Sequence, residues 1–335
     1  MTEKEALFYR ALKNKEVQCQ LCPHFCLLKE NEAGKCHARQ NIKGKLISLV
    51  YGKPCSVAVD PIEKKPLYHF LPGEKAFSIA TAGCNLKCLN CQNASISQAN
   101  PESVPSAKIL PKKIILEAKK QARIIAYTYT EPTIFYEYMF DIAKIARKQK
   151  MKNAMVTNGF INPEPLNKLC KHIDASNIDL KSTEKDFYER VCGAKLEPVL
   201  EAIKIMKDKG VWIEITNLLI PEYNDSLYNI RKLVSWVRSE LGADIPLHFT
   251  AFHPCYKLSN FPSTNPEILK KARKIAMEQG IHYAYTGNIN DEEGNNTYCP
   301  KCKRVVIRRQ GFMIIENKIQ EEKCSCGEKI AGIWH

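Results

Sequence analysis

From residue 77 onward the chain alternates short apolar runs with amphipathic stretches, a rhythm that few folds accommodate. The apolar runs are FSIATAG (77–83), RIIAYTYT (123–130), NAMVTNG (153–159), ASNIDLKS (175–182), VWIEITNLLI (211–220) and PLHFTAFH (246–253), with IHYAYTG (281–287) as a seventh. Short, nearly uninterrupted apolar segments of this kind suit strands buried on both faces of a parallel sheet. Between them lie PKKIILEAKKQ (111–121), TIFYEYMFDIAKIARKQK (133–150), NPEPLNKLCKHI (162–173), LEPVLEAIKIMKDKG (196–210), NDSLYNIRKLVSWVRSELG (224–242) and NPEILKKARKIAMEQG (265–280), which place apolar residues at helical spacing. Several open with Asn or Asp and an early proline and close at Gly, the chemistry of helix starts and stops.

Serial βα units predict an α/β fold, a partial or full parallel (β/α) barrel, with the open doubly wound sheet as its relative. In either arrangement the residues that follow the strands collect at one end. Residues 77–297 are read as this barrel. Residues 1–76 form an N-terminal cysteine-rich metal-binding segment and lid, and 298–335 a small appendage.

Eleven of the 15 cysteines fall into three groups: Cys19, Cys22, Cys26 and Cys36; Cys84, Cys88 and Cys91; and Cys299, Cys302, Cys324 and Cys326. Cys55, Cys170, Cys192 and Cys255 stand apart. No apolar run approaches the roughly 20 residues of a membrane span, and the charged N-terminus lacks the apolar core of a secretion signal. The expectation is therefore a cytoplasmic chain with no membrane partner, whose thiols serve metals or catalysis rather than disulfides. The formal net charge is +14. Three thiolate sites would lower it to roughly +9, still basic enough for a nucleic acid or acidic partner but not decisive.

The central group follows the first strand as GCNLKCLNCQN. Gly83, Asn85 and Asn90 are poor helix formers, so a loop is the better reading than a buried helical stripe. A C-x3-C-x2-C loop can wrap three thiolates around an iron–sulfur cube and leave one iron without a protein ligand. An open coordination position suits catalysis rather than simple electron transfer.

This motif, after the first strand of a βα barrel, resembles the radical S-adenosylmethionine superfamily, and specifically its pyruvate formate-lyase activating enzyme branch. CPHFC, DPIEKKPLYHFLPG, TYTEPTIFYEY, TNGF and NIDLKS extend the resemblance over nearly the whole chain, and make it similar to the radical enzymes of the AmmeMemoRadiSam system. The resemblance implies a [4Fe-4S] cluster on Cys84, Cys88 and Cys91. Its open iron chelates S-adenosylmethionine, and reductive cleavage gives a 5′-deoxyadenosyl radical. That radical would abstract hydrogen from a partner protein, as in glycyl-radical activation, or from an organic substrate. An electron donor such as ferredoxin or flavodoxin is then required. The alternatives are a non-enzymatic protein that binds metal and nucleic acid, and a radical enzyme that modifies RNA.

Strand ends supply the remaining candidates for cofactor binding. Glu131 sits where relatives carry Gly-Gly-Glu-Pro, with Tyr129 and Thr130 replacing the glycines, and a carboxylate suits the methionine ammonium. Thr157 and Asn158 match the family's Thr-Asn-Gly; Val156 stands where activases have Asp. Asp179 and Lys181 match Asp-Leu-Lys and share a sheet face. Asn217 and His253 end the fifth and sixth strands. Cys192 reads as a buried thiol, with a radical relay as the sharper alternative.

CPKC (299–302) and CSCG (324–327) read as the two halves of a zinc ribbon around a hairpin at Gln310-Gly311. C-x2-C-x3-C-x9-C at 19–36 suits either structural zinc or a second cluster, and the reading leans to zinc; His24 or His37 could replace one thiol. DPIEKKPLYHFLPG is expected to cover the barrel mouth or dock a partner.

Overall fold

The computed structural model describes residues 4–335. All seven expected strands form, in chain order, with an eighth ahead of them: β1 (Ser56–Pro61), β2 (Lys75–Ala80), β3 (Ile124–Tyr127), β4 (Lys152–Thr157), β5 (Ala175–Asp179), β6 (Trp212–Leu219), β7 (Leu247–Ala251) and β8 (Ala284–Gly287). Strands β2 to β8 run parallel, each beside its predecessor, and β1 pairs antiparallel with β2. No ladder joins β8 to β1 among the described residues, so the sheet is a partial barrel.

The crossover helices include α1 (Pro111–Lys119), α2 (Tyr136–Lys148), α3 (Pro163–Cys170), α4 (Glu197–Asp208), α5 (Leu227–Trp236) and α6 (Pro266–Glu278). Proline lies in the first turn of α1, α3, α4 and α6, where its missing N–H costs nothing. Ser226 Oγ accepts Asn229 N at the start of α5, and Asn265 Oδ1 accepts Glu267 N at the start of α6. Met139, Ile142, Ala143 and Ala146 of α2 are buried at helical spacing.

The strands' alternation divides the apolar interior in two. Outward residues such as Ile79, Tyr127, Met155, Ile178, Ile215 and Phe249 join the helices in the main core. Inward residues at the N-terminal ends, Ala76, Ala126, Ala154 and Ala175, pack instead against Ile62, Leu67, Phe70 and Leu71. This corrects the expected lid: the DPIEKKPLYHFLPG segment plugs the base of the barrel, opposite the mouth. Its apolar residues are buried there because the small alanines leave room for them.

One carboxylate fixes the plug. Glu214 of β6 is fully buried and accepts Tyr68 N at 3.0 Å, His69 N at 2.8 Å, Trp212 Nε1 at 3.1 Å and His248 Nε2 at 2.7 Å. Burial opposes its charge, and these donors prevail, holding the carboxyl below its usual value. The C-terminal appendage is a three-stranded antiparallel ribbon with its hairpin at Gln310-Gly311, and it docks on the same plug. Leu71 N donates to Ile333 O, Ile333 N to His69 O, and Arg309 Nη2 to Tyr68 O.

The N-terminal residues build two small three-stranded sheets whose buried side chains Val17, Leu21, Leu28, Ala38 and Leu46 belong to the main core. Residues 4–76 are thus not a free-standing appendage. They share the barrel's core and contribute β1, so a boundary at 76 falls within β2.

Replacing Glu214 by Ala leaves buried donors unpaired and should cost about 3–5 kcal/mol. Thermal denaturation is expected to show a midpoint lowered by several degrees, while Glu214→Gln, which keeps acceptor capacity, loses less.

Candidate active site

The three-cysteine loop leaves β2 at the C-terminal edge of the sheet, where residues from β3 to β6 surround it. The loop is non-helical over Thr81–Gln92, as its Asn and Gly content requires. Gly83 has φ +107°, and a Cβ there would lie 2.5 Å from the Cys36 carbonyl, so only glycine lets the N-terminal segment approach this closely. Backbone bonds from Lys87 N to Cys192 O (2.8 Å) and Leu89 N to Val191 O (3.0 Å) tie its middle to the turn after β5.

The sulfurs carry donors. Leu86 N and Asn158 Nδ2 approach Cys84 Sγ at 3.4 and 3.8 Å, and Ser97 Oγ lies 3.1 Å from Cys91 Sγ. Cys88 is lowered to about 7, first by the hydrogen bond from Cys192, against burial, with Lys181 assisting. Burial raises Cys84 and Cys91. A bound metal would reverse that, because it takes thiols as thiolates.

Glu131 is 1% exposed. Its Oε1 accepts Thr133 N, Thr133 Oγ1 and Thr157 Oγ1 at 2.9, 2.6 and 2.7 Å, and its Oε2 accepts Asn158 N at 2.8 Å. Burial raises its carboxyl. Three donors thus converge on Oε1 and one on Oε2, and Glu131 locks the ends of β3 and β4 together. Thr157 is consumed in the same lock. Asn158 faces the loop, donating to Asn85 Oδ1 at 2.9 Å, while Asn85 Nδ2 donates to Phe160 O.

Tyr129 takes φ +66°, the left-handed conformation that glycine adopts freely. Its hydroxyl donates to Asp60, and Lys65 Nζ lies 4.3 Å from its ring centre. Thr130 Oγ1 donates to Thr81 O. Asp179 and Lys181 pair at 3.0 Å, partly exposed, with Lys181 beside Cys88 and Cys192. Asn217 stands apart from this group. It lies on the outward face of β6 and donates to Leu180 O and Lys181 O, so it holds the turn that carries Lys181 rather than facing the cleft. His253 is exposed beyond β7, its ring 3.4 Å from Ser263 Oγ and 3.3 Å from Asn288 O.

Asn85 and Thr133 were missed by sequence reasoning, although Asn85's place directly after the first motif cysteine could have suggested it. Thr81 Oγ1, Asn90 Oδ1 and Thr216 Oγ1 are buried without a protein partner around the loop, Thr216 in register with Asp179. Orphaned polar atoms beside three converging thiols fit a polar ligand seated over a metal cluster.

The ribbon forms a second, tighter group. Its four sulfurs lie within 4.8 Å of one another, with Cys299–Cys326 at 3.6 Å and Cys302–Cys324 at 3.7 Å, and this set could hold one metal ion.

The Radical SAM superfamily model matches residues 78–234. An uncharacterized protein of Methanocaldococcus jannaschii is 48% identical over 331 residues, 98% of each chain. The pyruvate formate-lyase-activating enzyme of Clostridium pasteurianum is 23% identical, covering 58% of this chain and 87% of that enzyme. The fold is also that of Streptococcus suis SuiB bound to S-adenosylmethionine, at a TM-score of 0.50 and 16% identity, over 68% of this chain and 53% of SuiB. The chain belongs to the radical SAM superfamily, in its pyruvate formate-lyase-activating-enzyme-like branch. It is a radical SAM enzyme, and the family implies a [4Fe-4S] cluster and S-adenosylmethionine. No helix among the described residues is long and apolar enough to cross a membrane.

Cys192 hydrogen-bonds Cys88 without belonging to the motif. Cys192→Ala is expected to keep the loop's iron, counted chemically, whereas Cys88→Ala loses it. Loss of loop iron in Cys192→Ala would make Cys192 a fourth ligand.

Proposed function

We propose that Cys84, Cys88 and Cys91 hold a four-iron cluster by three corners, and that the enzyme abstracts hydrogen from a partner protein or an organic substrate. The observation that carries this reading is the set of three thiols from one loop at the C-terminal edge of the barrel, ringed by unpartnered polar atoms. Held there by Cys84, Cys88 and Cys91 and reduced, such a cluster would supply the one electron that reductive cleavage of S-adenosylmethionine requires.

The chain's own residues prepare that event. The hydrogen bond from Cys192 holds the Cys88 thiol below its ordinary value, against burial, which favours the thiolate. Lys181, a cation beside it, offsets thiolate charge and is itself anchored by Asp179. Asp179 and His253 are the candidate groups for the nucleoside or the substrate. Asn158 orients the loop through Asn85, and Glu131 positions Asn158. The activating-enzyme relatives support glycyl-radical formation on a partner protein as the first substrate class to test, with a ferredoxin- or flavodoxin-class reductant.

For the ribbon we propose zinc. Tetrahedral Zn–S bonds of about 2.3 Å set sulfurs about 3.8 Å apart, close to the 3.6 and 3.7 Å separations found. Chelating that ion is expected to lower the thermal midpoint and release about one zinc per chain, leaving iron in place.

The catalytic test is anaerobic reconstitution with iron and sulfide, then dithionite and S-adenosylmethionine. 5′-Deoxyadenosine should form, and Cys88→Ala should reduce it at least a hundredfold. Glu131→Gln, which alters one oxygen of a positioning carboxylate, should slow it by roughly tenfold with iron retained. A fully loaded cluster that yields no 5′-deoxyadenosine overturns the reading.

A further inference from the structure

The four N-terminal cysteines form a site of a different kind from the ribbon. We propose that Cys19, Cys22, Cys26 and Cys36 hold a second iron–sulfur cluster of cubane size, an electron relay adjoining the cluster of the three-cysteine loop. The relay role rests on the radical SAM reading of that loop; the second site does not.

The first ground is convergence: the four side chains line one small, largely enclosed cavity. Gly34 forms part of its wall, its α-carbon facing Cys26, so that no side chain intrudes from that side. The second ground is spacing. A single zinc draws four thiolates to about 3.8 Å of one another, as the ribbon's sulfurs already stand. Among the described residues the ribbon is the only cysteine group gathered that tightly. The N-terminal four ring a cavity but do not collapse on its centre, and neither do Cys84, Cys88 and Cys91. A four-iron cube binds thiolates at its outer corners and needs them further apart than one ion does. By this measure the N-terminal set matches the cube-holding loop.

The third ground is electrostatic. Arg39 is 1% exposed and lines the cavity. Its Nη1 donates to Cys19 Sγ at 3.5 Å, Nη2 is held by Glu137, and Nε has no protein partner. A buried guanidinium aimed at thiolates suits an anionic centre, and N–H···S bonds tune a cluster's potential.

The fourth ground is adjacency. The Cys36 carbonyl packs against Gly83, the residue before Cys84. His24 Nε2 lies 2.7 Å from Asn85 O, and Asn85, the residue after Cys84, lines the cavity. The two sets of ligands therefore meet through the residues that flank Cys84. In the relay, one electron from a low-potential protein donor reduces the N-terminal cluster. The same electron then passes to the loop cluster and returns the first to its oxidised state. No bond is made or broken, and no proton is required.

The test is metal and sulfide analysis of the full chain, reconstituted anaerobically, as wild type and as C84A/C88A/C91A. Wild type should hold about eight irons and eight sulfides, and the triple variant about four of each. The variant should show a reduced-cluster paramagnetic signal that S-adenosylmethionine does not alter. Zinc beyond the ribbon's one ion, with no iron in the triple variant, overturns the proposal. This outcome is independent of whether the loop cleaves S-adenosylmethionine. C22S/C36S should return the iron to about four with the S-adenosylmethionine-responsive signal intact, and should slow reduction of the loop cluster by a flavodoxin-class donor at least tenfold. An unchanged reduction rate overturns the relay. Should C22S/C36S fail to fold, the wild-type and triple-variant counts decide the site.

Discussion

The buried carboxylate of Glu131 holds the active end of this barrel together. Four donors from the starts of two successive crossovers converge on it, and through Asn158 and Asn85 it reaches the residue next to Cys84. A loop of twelve non-helical residues has no ladder of its own. Its thiols can present a common face only if surrounding backbone is fixed first. Surrounding a carboxylate with hydrogen bonds offsets part of the cost of burying it and fixes the backbone that donates them.

The barrel was legible in the sequence because its signals are local. Each strand is a short apolar run, each helix carries its own cap or proline, and every strand pairs with its chain neighbour. The cysteine motif was equally readable, since its ligands lie within eight residues. What escaped notice depends on contacts between distant positions. The polar–aromatic segment at 60–73 reads as a cover for the mouth or a docking loop, yet it is buried at the base, where Glu214, some 145 residues away, receives its N–H groups. Asn217 ends a strand like a site residue, but period-two alternation points it outward to carbonyls that no local pattern reveals. Tyr129 shows the converse. Its left-handed backbone is where a glycine would sit comfortably, and the Asp60 and Lys65 contacts hold a larger residue there at a cost of order 1 kcal/mol.

The three cysteine groups show how one residue type is put to different uses by spacing alone. In the ribbon the four sulfurs close upon a point. In the loop three face a common space. At the N-terminus four surround a cavity whose wall touches the loop itself. Each geometry follows from how many backbone elements carry the thiols and how tightly neighbouring side chains let them approach.

The seal at the base of the barrel also sets an order in time. His69 meets Ala331 across 262 positions of chain, and Leu71 and Ile333 are joined by backbone bonds. A ribosome that has finished all eight strands has therefore not yet delivered the residues that cover the plug. Contacts of such long sequence separation form late and slowly, so the seal closes after the sheet it covers.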